Sequence, residues 1–407
     1  MRDPRRAVRA LTRRIDAATP PRRDRGIDAL RALAILGVVL GHWLVTALVI
    51  DTGTVHGTSP LHEMPQLAPV SWLLQTLAVF FMVGGHVGAQ GYAAARARGD
   101  SYRDWLTARM LRLLRPVAAV LLVWALVTAV MLIGGVAFDT LNTLLKLVLS
   151  PLWFLLVFAA LTAATPLVAG LHPLWPLAVV LHVDLLRFGL GGPDGLGWIN
   201  LGAGWLVPYC LGALWAGGGL QTRKLRTTGL ILLAGGAAAT AALVAFAGYP
   251  ASMVGVPGAA LSNLNPPTLA AVTFGVAQCG AALLLLGPLR RALRRPLAWA
   301  AVALVNLSAM TVFLWHQTAM MAVTALGLFA GRPLPGLHTP PTDAFWVLAR
   351  LGWLPVFGCA LLVCWTAFRA YEQGSARTRP ASGRPRPAGG LIVQQGPPAR
   401  EPVDRRA

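Results

Sequence analysis

Charge is scarce in this chain. Asp and Glu together supply 15 of 407 residues, lysine occurs only at Lys146 and Lys224, and charged side chains of all kinds make up 12% of the sequence. A soluble globular chain carries about 25%. Cysteine is sparse too. Cys210, Cys279, Cys359 and Cys364 lie inside apolar runs without C-x-x-C or Cys/His ligand spacing, so neither a disulfide framework nor a metal site is expected. No period of 20–50 residues repeats, which argues against a solenoid. No A-x-A-like cleavage site follows the first apolar run, and the stretch before it is too long and arginine-rich for an ordinary signal peptide; the first helix is expected to stay attached. The net charge of +20 would suit a nucleic-acid partner, but no aromatic-interleaved basic surface or zinc spacing accompanies it, so none is expected.

What the chain has in abundance is apolar sequence, 56% of residues. Several runs reach the roughly 20 residues that a helix needs to cross a bilayer. Without water at that depth, backbone groups must be satisfied within helices or a closed barrel, and continuous rather than alternating runs favour helices. The expected fold is therefore all-α: a polytopic transmembrane bundle of about ten helices near 29–50, 70–90, 116–137, 151–170, 174–190, 197–217, 228–248, 267–287, 306–330 and 344–368. Arginines gather before the first run, at 96–115, at 223–226, at 290–295 and in the C-terminal tail. The positive-inside rule then puts both termini in the cytoplasm. Residues 1–25 read as a disordered basic cytoplasmic arm, 26–370 as the transmembrane domain, and 371–407 as a disordered Pro/Arg-rich cytoplasmic tail. The Gly/Pro-rich connections on the other side hold His56, His62, Glu63, Asn263 and Asn265. Two lysines beside abundant Arg, Ala, Gly and Pro suggest a GC-rich bacterial genome, hence a multi-pass protein of the cell (plasma) membrane.

Ionisable side chains at membrane depth cost about 2.5–3.5 kcal/mol on insertion scales and are candidates for function. The apolar runs contain His42, His86, His182 with Asp184 and Arg187, Asn306 with His316, and Arg350. Arg31 and His42 are eleven residues apart, roughly 16 Å of helical rise on nearly the same face. That spacing suits a ligand lying along the helix, its anionic end on an arginine fork and its reactive end at an imidazole able to move a proton. It suits equally a positive anchor and an unrelated packed histidine. Arg109, Arg112 and Arg115 recur on one side of the next basic helix end, either to clamp phosphates or to meet anionic head groups. Asp184 and Arg187, at i and i+3, are expected to pair, with acceptor contact the alternative.

Several motifs, taken in order, resemble the membrane-bound acyltransferase 3 family. Arg31, ten residues and His42 in the first helix match its mark. Phe80-Phe81-Met82-Val83-Gly84-Gly85 is similar to its second-helix motif, Arg109-Met110-Leu111-Arg112 to its R-x-x-R, Trp153-Phe154-Leu155 to its W-F-L, and Phe313-Leu314-Trp315-His316 to its late aromatic-Leu-x-His. The segment from Met253 to Gly258 with Ser262, Asn263, Pro266 and Pro267 resembles a bacterial subset. The resemblance implies O-acetylation-type chemistry, with cytoplasmic acyl-CoA, commonly acetyl-CoA, as donor substrate and no bound cofactor. Arg31, Arg109 and Arg112 would meet the donor phosphates and Trp153 would pack the donor channel. His42 would act as general base or brief acyl carrier. His316 would orient the acceptor or stabilise charge, a structural hydrogen bond being the alternative, and Asp184 and Arg187 would lie on the acceptor side. A carbohydrate, lipid-linked polymer or small secreted molecule all fit as acceptor, and membrane lipids surround the whole. Two departures stand out: Gly85 where many members have serine, followed by His86, and Phe313 where tyrosine is usual. The competing class, a transporter or flippase, would show inverted repeats and paired broken helices, and neither is evident.

Overall fold

Residues 4–373, apart from Arg22, Thr52 and 221–223, are described by a computed structural model. The tail expected at 371–407 lies almost wholly outside these described residues. Within the arm expected to lack regular structure, Pro4–Ala17 forms helix α1; Arg, Ala and Leu are good helix formers. Its Ile15 packs with Trp299 and Leu293, and Trp299 Nε1 donates to Thr19 Oγ1 at 2.8 Å just beyond it.

The first long helix, α2 (Arg25–Val45), starts where Asp24 accepts from the Gly26 amide. Arg290 grips the same carboxylate through Nε at 3.1 Å and through Nη2. Burial disfavours the Asp24 anion, but Arg290 and the Gly26 amide outweigh it and hold the carboxyl below its usual range. The chain then runs through α3 (Leu77–Ala97), α4 (Tyr102–Ile133), α5 (Phe138–Ala163), α6 (Leu174–Asp184), α7 (Ile199–Ala216), α8 (Leu225–Phe246), α9 (Leu269–Ala292), α10 (Pro296–Leu307), α11 (Ala309–Gly327) and α12 (Ala344–Gln373). Among the described residues eight helical segments are long and apolar enough to cross a membrane, so the chain is a polytopic helical membrane protein. The segments expected as spans at 70–90 and 174–190 are largely helical, as α3 and as α6 with a following π turn, but are not among those eight. The span expected at 306–330 is essentially α11, one of the eight; a break at Ser308 separates it from the short apolar helix α10, which holds 306–307.

Burial separates an inner group from an outer one. More than half of the apolar window is buried in α2, α7, α9 and α11, against 17% in α8 and 11% in α12. Outward-facing Leu122, Leu126, Ile231, Leu348 and Val363 are left for lipid. Because lipid tails are as apolar as leucine, apolar burial alone does not hold such helices together; close packing and interhelical hydrogen bonds do. Both are present. At the α3–α7 crossing, a Cβ on Gly85 would overlap the Tyr209 carbonyl and one on Gly212 would overlap the Met82 carbonyl. At the α8–α9 crossing Gly229, Gly236 and Gly280 meet the opposite backbone in the same way, and Thr240 and Thr273 bond hydroxyl to hydroxyl at 3.0 Å.

At the end of the bundle where α2 stops, the chain forms an antiparallel hairpin, β1 (Ala47–Asp51) and β2 (Thr54–Thr58), with Ala47 opposite Thr58. Ile50 donates to the His338 carbonyl and Val55 to Thr140 Oγ1, which pins the hairpin to neighbouring segments. The 249–268 connection is tied down by its own bonds: Asn263 donates to the Pro250 and Ser252 carbonyls and accepts from Thr268, while Gln75 donates to the Met253 carbonyl.

Gly85 belongs to the α3–α7 contact, where any side chain collides with backbone. Gly85→Ser should therefore lower the melting temperature of detergent-solubilised protein by several degrees, as overpacking costs about 1–3 kcal/mol. An unchanged melting curve would show that the helices separate without penalty.

Candidate active site

The site is built around α2. Arg31, three residues past Asp28, points its Nε at Asn306 Oδ1 (2.6 Å) and an Nη at the Asn306 carbonyl (3.2 Å). Asn306 is the penultimate residue of α10, so the guanidinium sits at a helix C-terminus, where carbonyls are unsatisfied and the dipole favours a cation. The Asn306 amide donates in turn to the Asp28 and Val302 carbonyls. One side chain thus joins the start of α2 to the end of α10.

Arg31 and Asn306 line a half-open cavity of about 410 Å³. Arg109 and Arg112, from α4, share its basic end. The Arg109 guanidinium lies over the Trp105 ring and donates to the Val87 carbonyl at 3.0 Å, while Arg112 is exposed. Further in, Ile35, Phe80, Val83, Gly84, Phe154, Phe158 and Phe313 make the walls apolar. Gly84, not Gly85, faces this space. His86 does not line it; its ring lies 4.2 Å from that of Trp215. Neither does Trp153, which packs beside Phe154 and Trp205. From that motif it is Phe154 and Leu155 that reach the cavity.

Phe80 meets Phe154 edge-on at 5.1 Å between centroids, and Phe313 is tilted against Phe154 at 5.4 Å, so the three rings form one aromatic cluster. The cavity lining stops there. His316 follows Phe313 by three residues, roughly 4.5 Å of rise, and its ring is 5.1 Å from that of His42. The two histidines identified in sequence 274 positions apart are thus neighbours. His316 is fully buried, and its Nδ1 is 2.6 Å from the Phe313 carbonyl. A carbonyl only accepts, so Nδ1 carries the hydrogen and Nε2 is a bare nitrogen; Nε2 has no partner among the described residues. His42 is partly buried, with its Nδ1 3.1 Å from the side-chain nitrogen of Gln317.

The far end of α2 is fixed by Arg350 of α12, which is 1% exposed. It donates to the Trp43 carbonyl (2.6 Å), the Thr46 carbonyl (2.7 Å) and the Gly336 carbonyl (2.8 Å), and stacks on Trp346 and Phe357. Trp43 reaches across to donate to the His316 carbonyl at 2.9 Å. The residues on either side of the histidine pair are therefore held by main-chain bonds.

Asp184 and Arg187 do not form the expected pair. Asp184 accepts from Asn200 (2.9 Å), Tyr249 (3.0 Å) and the Leu269 amide (2.7 Å), a knot joining α6, α7, α9 and the 249–268 connection. The π turn at Leu185–Gly189 changes the helical step, and Arg187 instead lies 3.5 Å from the exposed Asp194. Neither residue lines the cavity. Among the described residues no group of three His, Cys, Asp or Glu could hold a metal. Gln317 was not singled out in sequence, and Asn306 was seen there without a partner. An amide inside an apolar run, next to a candidate histidine, is the signal that could have found both.

The sequence profile of the acyltransferase 3 family, described as an acyltransferase domain, matches residues 24–369. No curated protein and no solved structure matches the chain.

Each charge-assisted bond made by Arg350 is worth about 1.5–3 kcal/mol. Arg350→Met should therefore sharply reduce thermal stability in detergent, with Arg350→Lys intermediate because an ammonium cannot span three carbonyls. Equal melting temperatures for all three proteins would contradict this role.

Proposed function

Since the chain belongs to the acyltransferase 3 family, we propose that this membrane acyltransferase moves a short acyl group, acetyl in the first instance, from cytoplasmic acyl-CoA to a hydroxyl or amine. The acceptor is a carbohydrate-type or other envelope or secreted molecule. In this reading the chain crosses the cell membrane ten times, α3 and α6 with its π turn completing the count, and both termini are cytoplasmic. The arginine-rich ends of α1, α2, α4 and α9 support that sidedness.

The observation that carries the proposal is the alignment of an arginine-rimmed cavity with the histidine pair along one helix. The donor's phosphates suit Arg31, Arg109 and Arg112, and a pantetheine arm suits the apolar walls beyond them. At the inner end, a His42 nitrogen takes the proton as the acceptor O–H bond breaks. The oxygen forms its bond to the thioester carbonyl, the C–S bond breaks, and the proton passes from the imidazolium to the departing thiolate. The ring of His316, 5.1 Å from that imidazole and with a bare Nε2, can orient the acceptor hydroxyl. The aromatic side chains of the cavity wall, of which Phe313 lies 6.0 Å from the His316 ring, limit access of bulk water to the thioester.

The direct test is purified protein with radiolabelled acetyl-CoA. Wild type should release CoA and transfer label to a lipid or glycan fraction; His42→Ala should insert normally and do neither. Transfer by His42→Ala at the wild-type rate would remove His42 from the chemistry, and substrate translocation without CoA release would favour the transporter class.

Arg112 is exposed at the cavity rim and donates to the Ala108 carbonyl one turn away, its recorded hydrogen bond among the described residues. Arg112→Ala should raise KM for acetyl-CoA by about five- to tenfold, on the order of 1–1.4 kcal/mol, with kcat little changed. An unaltered KM would make this arginine a topogenic charge only.

A further inference from the structure

The basic end of the cavity does not stop at its arginines. Tyr102, Trp105, Arg109 and Arg112 follow one another on α4 at steps of three, four and three residues, which puts them on one helix face. Arg109 and Arg112 line the cavity. The two rings continue the same stripe outward, Tyr102 lying about 10 Å of helical rise beyond Arg109. A third ring joins them from α3. Tyr92 meets Trp105 edge-on at 5.2 Å and Tyr102 at 6.4 Å, and Tyr102 and Trp105 are 6.0 Å apart.

Each helix that carries or anchors these rings also lines the cavity. On α3, Val87 lines it and its carbonyl accepts from Arg109 at 3.0 Å, with Tyr92 five residues further on. On α4 the Arg109 guanidinium lies 5.2 Å from the Trp105 ring. On α5, Thr162 lines the cavity, and the carbonyl of the next residue, Ala163, accepts from the Tyr102 hydroxyl at 2.7 Å. The rings therefore edge the cavity mouth. Aromatic residues that serve only as interfacial anchors keep their polar atoms for head groups and water. Here Tyr102 commits its hydroxyl to a helix end while its side chain stays 40% exposed, and Trp105 is 7% exposed.

We propose that this cluster is the nucleobase site of the donor: the adenine of acyl-CoA lies on the exposed Tyr102 ring, backed by Trp105 and Tyr92. The reading rests on acyl-CoA being the donor, and the order of groups supports it. An acyl-CoA carries thioester, pantetheine arm, phosphates and base in that sequence. The site carries apolar walls, then Arg31, Arg112 and Arg109, then the rings. Arginines hold phosphates, and a base stacked on a neutral ring adds attraction without a further charge. Every base has a π face, so the cluster selects a nucleotide-bearing thioester over a bare phosphopantetheine thioester without reading adenine by its edges.

Two donors separate this site from the arginines: acetyl-CoA, and acetyl-4′-phosphopantetheine, which keeps the thioester and one phosphate and lacks the nucleotide. With the full chain in detergent, Tyr102→Ala should raise KM for acetyl-CoA about tenfold, the lower end for loss of one base–aromatic stack. Its kcat, and its KM for acetyl-4′-phosphopantetheine, should stay within about twofold of wild type. Tyr102→Phe keeps the ring and should stay within about threefold for both donors. Adenosine 3′,5′-bisphosphate, the nucleotide alone, should bind wild type and lose about tenfold in affinity in Tyr102→Ala by calorimetry. Tyr102→Leu takes the place of the alanine variant if that one fails to fold. An unchanged KM for acetyl-CoA in the folded variant would make the cluster an interfacial anchor and overturn the proposal. So would an equal rise for both donors, the mark of a distorted mouth. Tyr102-dependent binding of the bisphosphate by a protein that transfers no acetyl group would uphold the base site and overturn acyl transfer; neither binding nor turnover would overturn both.

Discussion

Polar groups in a hydrocarbon layer have no water to fall back on, and this constraint decides how α2 is held. Its basic end is joined to α9 through Asp24 and Arg290, and to α10 through Arg31 and Asn306. Its other end would present unsatisfied carbonyls near Trp43 and Thr46, and Arg350 satisfies them. Two arginines that would be expensive in isolation therefore become the fixtures of one helix. That helix carries the candidate base one residue before the Trp43 carbonyl that Arg350 binds, so its depth and rotation are fixed from the Arg350 end as well as from the Arg31 end.

The glycine contacts act in the same direction. With apolar burial offering little net gain between helices in lipid, the α3–α7 and α8–α9 crossings rely on backbones approaching closely. The inner helices are tightly joined, and lipid-facing α8 and α12 wrap them. The cavity of the site is lined by Arg31, Arg109 and Arg112 together with apolar residues that include Phe80, Phe154 and Phe313, and His42 and His316 are not among its lining. A proposed donor would thus be recognised by charge first and admitted toward the chemistry through an apolar passage.

Much of this was legible in sequence because it follows from local periodicity. The spacing of Arg31 and His42 on one helix, the shared face of Arg109 and Arg112, and the helical class itself need no knowledge of partners. What was hidden depends on contacts distant in the chain. Asn306 and Gln317 gain meaning only when α10 and α11 lie against α2, some 275 residues earlier. The Asp184–Arg187 pairing failed because a π turn breaks the 3.6-residue step on which it relied. At Gly85 the α3–α7 crossing leaves no room for a side chain, a constraint visible only once the two helices are together. The hairpin at 47–58 was missed because apolar 46–50 continues the preceding run without a stop signal.

The break at Ser308 separates two consecutive apolar rods, the short α10 and the longer α11, with separate duties. The rod before it ends on Arg31 and the rod after it carries His316 and Gln317. Substitutions that shift the first rod alter the grip on an anion, and those that shift the second alter proton transfer. In the proposed reaction, donor affinity and turnover are therefore separable traits, which selection could adjust one at a time.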